Sequence, residues 1–271
     1  PFFSNAKLDY KIKNLSSLRN LANYRNWKIN FDNNDFEIFI GEIISSQLPI
    51  NFLEGFDTLN HELSKNFWPT KPKFILTSNL FYDNDLFNLY VLKKCREGSK
   101  FFTTQHGGHY GIGKFSFFEI HQTTISDKFF TWGWASHKHN NLIPQGIFNN
   151  TRFKNYSFTS KNILLVTNCI PRYSNYLYSS PISSQWLKYF SDQLNFVDYL
   201  NVSNKNKLLV RLYNEDYKWN QKSRWLDRFP NIKFANLKKL DFYIQNARLV
   251  ICTNNSTTFL ECIYYNVPTI I

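Results

Sequence analysis

Between residues 162 and 271, short apolar runs alternate with segments of helical period, and this alternation constrains the fold more than any other feature. Residues 162–167, 207–212, 232–234, 248–252 and 269–271 are apolar, brief and bounded by polar residues, as buried strands are. Between them, apolar residues recur at helical spacing over 184–200, 219–228, 237–246 and 256–265. Strands that alternate with helices require crossover connections. The expectation is therefore a parallel sheet with right-handed crossovers, an α/β domain of Rossmann-like type.

The N-terminal half carries the same rhythm less regularly. Residues 1–66 read as mixed helix, with an apolar stretch at 36–44 and a helical pattern over 52–63. A short buried run at 73–78 predicts a strand. Asp83 or Asn84 can cap a helix that runs to Glu97, and Gly98 stops it. Residues 101–104, 128–132 and 141–144 predict three further strands. The polar, aperiodic stretch 149–161 (NNTRFKNYSFTSK) reads as a linker, dividing the chain into domains at 1–148 and 162–271.

Composition excludes several classes. At 271 residues and 43% hydrophobic, the chain can bury a sizeable core. No run of 18 apolar residues exists to predict a membrane span. Cys95, Cys169, Cys252 and Cys262 show no metal-ligand spacing, so four reduced thiols in a cytoplasmic protein are expected, and no metal. The chain lacks Met, opens on Pro1 and closes on Ile271 within an expected strand, so both ends read as truncated. Its net charge of +12 is uneven: residues 1–150 hold 16 Lys/Arg against 13 Asp/Glu, and residues 151–271 hold 16 against 7. A basic C-terminal half suits an anionic ligand or peripheral contact with an anionic membrane face. Solvated lysines on helix surfaces would explain it equally well.

Two motifs carry the chemistry, and each follows an expected strand at the end where parallel sheets bind ligands. The first is Gln105-His106-Gly107-Gly108-His109-Tyr110-Gly111-Ile112-Gly113-Lys114. Its four glycines permit positive φ and close backbone approach, and its histidines can donate hydrogen bonds or move a proton. It matches neither the GxxxxGK[ST] phosphate loop nor the GxGxxG dinucleotide spacing. The second is Thr253-Asn254-Asn255-Ser256-Thr257-Thr258-Phe259-Leu260-Glu261. Asn255 or Ser256 at the helix start leaves N–H groups free for an anion, with hydroxyls from Ser256, Thr257 and Thr258 beside them. An ordinary N-cap would use the same residues. Glu261 lies one turn further, within reach of a sugar or ribose hydroxyl.

In order and context these motifs resemble bacterial transferases encoded in O-antigen and other surface-polysaccharide loci. The matching stretches are FILTSNLFYDNDLF at 74–87, GSKFFTTQHGGHYGIGKFSF at 98–117, ISDKFFTWGW at 125–134, IPQG at 143–146 and NSTTFLECIYYNVPTI at 255–270. The resemblance implies a GT-B-like architecture, two Rossmann-like domains with parallel sheets around a cleft. Residues 1–148 would form the acceptor side, and 162–271 would bind a nucleotide-activated sugar, CMP- or UDP-linked. The implied activity is glycosyl transfer to a glycan or lipid-linked glycan acceptor, without a metal or other cofactor. Relatives with the same fold include nucleotide-sugar epimerases and glycerophosphotransferases. One departure stands out: His109 occupies the place where a third glycine is expected.

On this reading Ser256, Thr257, Thr258 and Asn255 hold donor phosphate, with Gln105, Gly107, Gly108, Glu261, Arg172 and Arg211 as further donor-binding residues. The catalytic candidates are Asp85, His106 and His109; Asp83 is the more natural helix cap. A nucleic-acid-binding or scaffold protein is the non-enzymatic alternative, although no nucleic-acid motif appears.

Overall fold

The computed structural model describes residues 24–137, 139–147, 160–173 and 183–271. They form two parallel sheets and, among the described residues, nine α-helices. The expected linker at 149–161 lies almost wholly outside the described residues. The chain divides into two compact units. Pro1–His106 with Glu119–Gln145 make the first, and Gly107–Phe118 with Gly146–Ile271 make the second. The glycine-rich segment, placed with the N-terminal half on sequence grounds, thus groups with the C-terminal unit.

In the first unit, α1 (Asp35–Gln47) and α2 (Phe56–Ser64) precede a four-stranded sheet of β1 (Phe74–Thr77), β2 (Lys100–Thr104), β3 (Lys128–Thr131) and β4 (Leu142–Pro144). The strands lie in sequence order, all parallel. Helix α3 (Asp85–Arg96) is capped by Asn84, whose side-chain oxygen accepts from the Phe87 N–H at 2.8 Å. Phe87 and Tyr90 on α3 pack with Ile75, Phe81 and Phe101, which covers one face of the sheet. Arg25 joins α1 to α2: it pairs with Glu54 at 2.9 Å and donates to the carbonyls of Ser45, Ser46 and Leu48.

Helix α4 (Phe117–Ile125) has no counterpart among the sequence-based expectations. The reason is its buried residues, Gln122 and Thr123, which are polar and leave no apolar stripe. Gln122 is fully buried because its amide nitrogen donates to the carbonyls of Ser78 and Thr104, tying together the carboxyl ends of β1 and β2.

The second unit follows the expected alternation closely. Its elements are β5 (Asn162–Val166), α5 (Trp186–Tyr199), the short α6 (Val202–Lys205), β6 (Leu208–Arg211) and α7 (Gln221–Arg228). They continue with β7 (Lys233–Phe234), α8 (Leu240–Gln245), β8 (Ala247–Cys252), α9 (Thr257–Tyr264) and β9 (Thr269–Ile270). The strands are all parallel, in the order β7-β6-β5-β8-β9.

Strand alternation sends successive side chains to opposite faces. Ile163, Leu165, Leu208, Val210 and Ile251 pack with Trp186, Phe190, Val197 and Trp225 of α5 and α7. Leu164, Val250 and Cys252 pack with Ile244, Phe259 and Cys262 of α8 and α9. With both faces covered, the sheet is doubly wound. The order in which strands are added reverses between β5 and β8, which opens a crevice at their carboxyl ends.

Candidate functional site

A cavity of about 430 Å³ occupies that crevice, in the size range of small-molecule pockets. Its walls come from the ends of three strands and the loops after them, with Leu240 at the start of α8. Val166, Thr167 and Asn168 come from β5; Arg211, Leu212, Tyr213, Asn214 and Glu215 from β6; Asn254, Ser256 and Thr258 from β8 and the start of α9. Every one belongs to the second unit.

Hydrogen bonds fix the loops across the crevice. The Thr253 hydroxyl donates to the Val166 carbonyl at 2.9 Å, so the Tyr189 hydroxyl must donate to the Thr253 oxygen. Tyr189 oxygen in turn accepts the Asn168 N–H at 2.8 Å. One chain of hydrogen bonds therefore joins the ends of β5 and β8 through α5. Burial holds the Tyr189 phenol above its usual pKa, against the opposing effect of its hydrogen bonds with Thr253 and Asn168, and keeps it a neutral donor.

The electrostatics favour an anion at one end of the cavity. Ser256 stands at the N-cap of α9 but makes no capping hydrogen bond; its hydroxyl donates to Asn254 Oδ1 at 2.8 Å instead. The first turn of α9 is left without a side-chain cap, with the positive end of the helix dipole at the cavity wall. Arg211 is anchored through Nη1, which donates to the carbonyls of Ala235 at 2.6 Å and Lys238 at 2.9 Å. Among the described residues its Nε and Nη2 have no hydrogen-bond partner, and no carboxylate pairs with it. A half-buried guanidinium held rigid on one side and open on the other is a receptor for phosphate or carboxylate.

The two sequence motifs meet here. Gly107 has φ +104° and Gly108 is buried. A Cβ on Gly107 would lie 2.6 Å from Thr257 Oγ1; one on Gly108 would fall on the Ser256 carbonyl group and within 2.6 Å of the Asn255 carbonyl oxygen. The glycines are thus required by the close packing of this loop on the start of α9. His109, in place of a third glycine, adopts φ +74°, and histidine is among the few side chains enriched there. Its ring is exposed, as is that of His106.

The structure sorts the remaining expected site residues. Arg211, Ser256 and Thr258 line the cavity together. Thr257 and Asn255 face the glycine loop. Arg172 is exposed, with its guanidinium 5.2 Å from the Trp219 ring centre, and does not line the cavity. Glu261, on the second turn of α9, also lies off the cavity wall; burial, with a smaller effect from the Asp241 charge, raises its carboxyl pKa to about 6. Gln105 serves the first unit, where its side-chain oxygen accepts from the Trp132 N–H and the Trp134 indole N–H, both at 2.8 Å. Asp85 opens α3 and accepts from the Asn51 amide at 2.6 Å. Asp83 is exposed and does not cap α3.

Thr167, Asn168, Tyr213, Asn214 and Glu215 were not singled out from sequence, and Asn254 entered only as part of the second motif. Their signal was position alone, immediately after β5, β6 and β8. Among the described residues no three His, Cys, Asp or Glu side chains gather to hold a metal, and no helix is long and apolar enough to cross a membrane.

Fold and crevice together define an α/β protein with a doubly wound parallel sheet and a cavity at its carboxyl edge. The chain belongs to the LIC12162 family of transferases, whose family model matches residues 4–271. It is accordingly a transferase. No curated protein matches its sequence.

Proposed function

We propose that this transferase is a glycosyltransferase of GT-B type that moves a sugar from a nucleotide-activated donor to a bacterial surface glycan. The observation that carries the reading is the joint presence, in one cavity, of Arg211 with free N–H groups and the uncapped start of α9. Both stabilise negative charge, and a leaving nucleotide develops negative charge on its terminal phosphate as the sugar departs. In the transfer, the bond between the anomeric carbon and the phosphate oxygen breaks and a bond to an acceptor hydroxyl oxygen forms. The acceptor proton passes to a base, for which Asp85, His106 and His109 are the candidates. Ser256 gains a phosphate partner by turning its hydroxyl away from Asn254.

The test is thermal unfolding of the protein with CMP, CDP, UDP and GDP. A ligand that binds only the folded chain raises its midpoint by mass action, and the nucleotide that does so identifies the donor class. If none of the four shifts the midpoint at millimolar concentration, the nucleotide reading is wrong. Product analysis with and without an acceptor then separates transfer from epimerisation.

A further inference from the structure

The wall of the same cavity also carries an aromatic ring and a carboxylate. Tyr213 lines the cavity and is 43% exposed. One face of its ring is backed by Tyr217, with centroids 6.2 Å apart and planes 23° from parallel. Tyr217 is held in place by a strained loop in which Tyr217, Lys218 and Asn220 all have positive φ, at +48°, +64° and +54°. Such strain persists only where the surroundings impose it. Here the Asp216 carboxylate accepts the N–H groups of Asn220 and Gln221 at 2.8 and 2.7 Å, and the Trp219 indole donates to the Ile170 carbonyl at 2.8 Å. The aromatic pair is therefore a preorganised platform at the cavity wall.

Glu215, two residues after Tyr213, is an exposed residue of the same wall, and among the described residues its carboxylate has no hydrogen-bond or ion-pair partner. Arg211 and Glu215 share the cavity without pairing with each other. An anion alone would satisfy the arginine and be repelled by the glutamate. A ligand that engages both combines an anionic group for Arg211 with hydroxyl donors for Glu215, and a flat apolar surface would cover Tyr213.

We infer that Tyr213 and Glu215 form the nucleoside end of the site: the base stacks on Tyr213, and the ribose hydroxyls donate to the Glu215 carboxylate. The phosphates then extend toward Arg211 and the start of α9. This assignment rests on the nucleotide reading of the cavity and adds to it the residues that recognise the nucleoside. Stacking on an aromatic side chain is tolerant of base identity, so Tyr213 supplies affinity. Glu215 supplies the preference for ribose over deoxyribose.

The experiment is calorimetric titration of the four nucleotides, their 2′-deoxy forms and inorganic pyrophosphate into the parent protein, Tyr213→Ala, Tyr213→Phe and Glu215→Gln. Tyr213→Ala should weaken nucleotide binding roughly five- to a hundredfold and leave pyrophosphate unchanged, while Tyr213→Phe keeps the parent affinity. Glu215→Gln should erase the preference for ribonucleotides over their deoxy forms. Parent protein that binds nucleotide, with Tyr213→Ala binding it equally well, overturns this assignment and leaves the nucleotide reading intact. Equal weakening of nucleotide and pyrophosphate by Tyr213→Ala shows a structural role and also overturns it. Parent protein that binds pyrophosphate but no nucleotide overturns both.

Discussion

Gly108 packs directly on the Ser256 carbonyl, so closely that no methyl group fits between them. Residues almost 150 positions apart in the chain thus bring the glycine-rich loop onto the start of α9, the helix whose first turn borders the cavity. The loop packs on the helix start through backbone contact, and that helix start forms part of the cavity wall.

Alanine at Gly108 should accordingly be costly. The added methyl meets backbone atoms that no side-chain rotation can clear, so overpacking of about 1–3 kcal/mol is expected, together with weaker nucleotide binding. Gly98 provides the control. It has φ +100° but nothing within 4 Å of a built Cβ, so its alanine variant bears the backbone strain alone and keeps its affinity. Equal unfolding midpoints for Gly108→Ala and the parent protein would remove the packing argument.

The three hydroxyls at the start of α9 should separate in their effects. Ser256→Ala and Thr258→Ala remove groups from the cavity wall and should weaken nucleotide binding by about ten- to a hundredfold, the value of a hydrogen bond to a charged phosphate. Thr257→Ala removes a contact with Gly107 and should alter the unfolding midpoint with little change in affinity. Titration and thermal unfolding of the three variants, measured together, check this; an affinity loss confined to Thr257→Ala would reverse the assignment.

Glu261 should make stability depend on pH. Its carboxyl, ordinarily near 4.5, is raised to about 6, so the folded chain holds its proton more tightly than the unfolded chain does. The stabilising contribution is full below about pH 4.5 and is lost as pH rises through about 6. At pH 7.5 Glu261→Gln should therefore be the more stable protein by about 1 kcal/mol, after allowance for solvent at a partly exposed group. The gain should vanish at pH 4. Thermal unfolding at the two pH values decides the matter, and a glutamine variant less stable than the parent at pH 7.5 would contradict it.

Gln105 should prove structural. Leucine there orphans the Trp132 amide and the Trp134 indole N–H, at a cost of about 1–3 kcal/mol, whereas Gln105→Glu retains the acceptor. Nucleotide affinity should be unaltered in both variants. A loss of binding in the glutamate variant, with its midpoint preserved, would return Gln105 to the ligand site.

The α/β class and most strand positions were legible in the amino-acid order, because period and boundary are local properties of the chain. The runs at 162–167, 207–212 and 248–252 became β5, β6 and β8 within a residue at either end. Asn84 and Gly98 marked the limits of α3 for equally local reasons. Helix α4 was missed because Gln122 and Thr123 are buried through hydrogen bonding, which hydrophobic periodicity does not register. The two motifs could be found from sequence, but the assembly of the site could not. Only the folded sheet, with its reversal of strand order between β5 and β8, decides that Ser256 and Thr258 enter the cavity while Thr257 turns to the glycine loop. The same topology brings in Arg211 and leaves Arg172 on Trp219, and it places Tyr213 and Glu215 in the wall. These outcomes depend on contacts between residues far apart in the chain, which impose on each partner little more than a size or a charge. A sequence records that much as a glycine or an arginine, and leaves its neighbours unnamed.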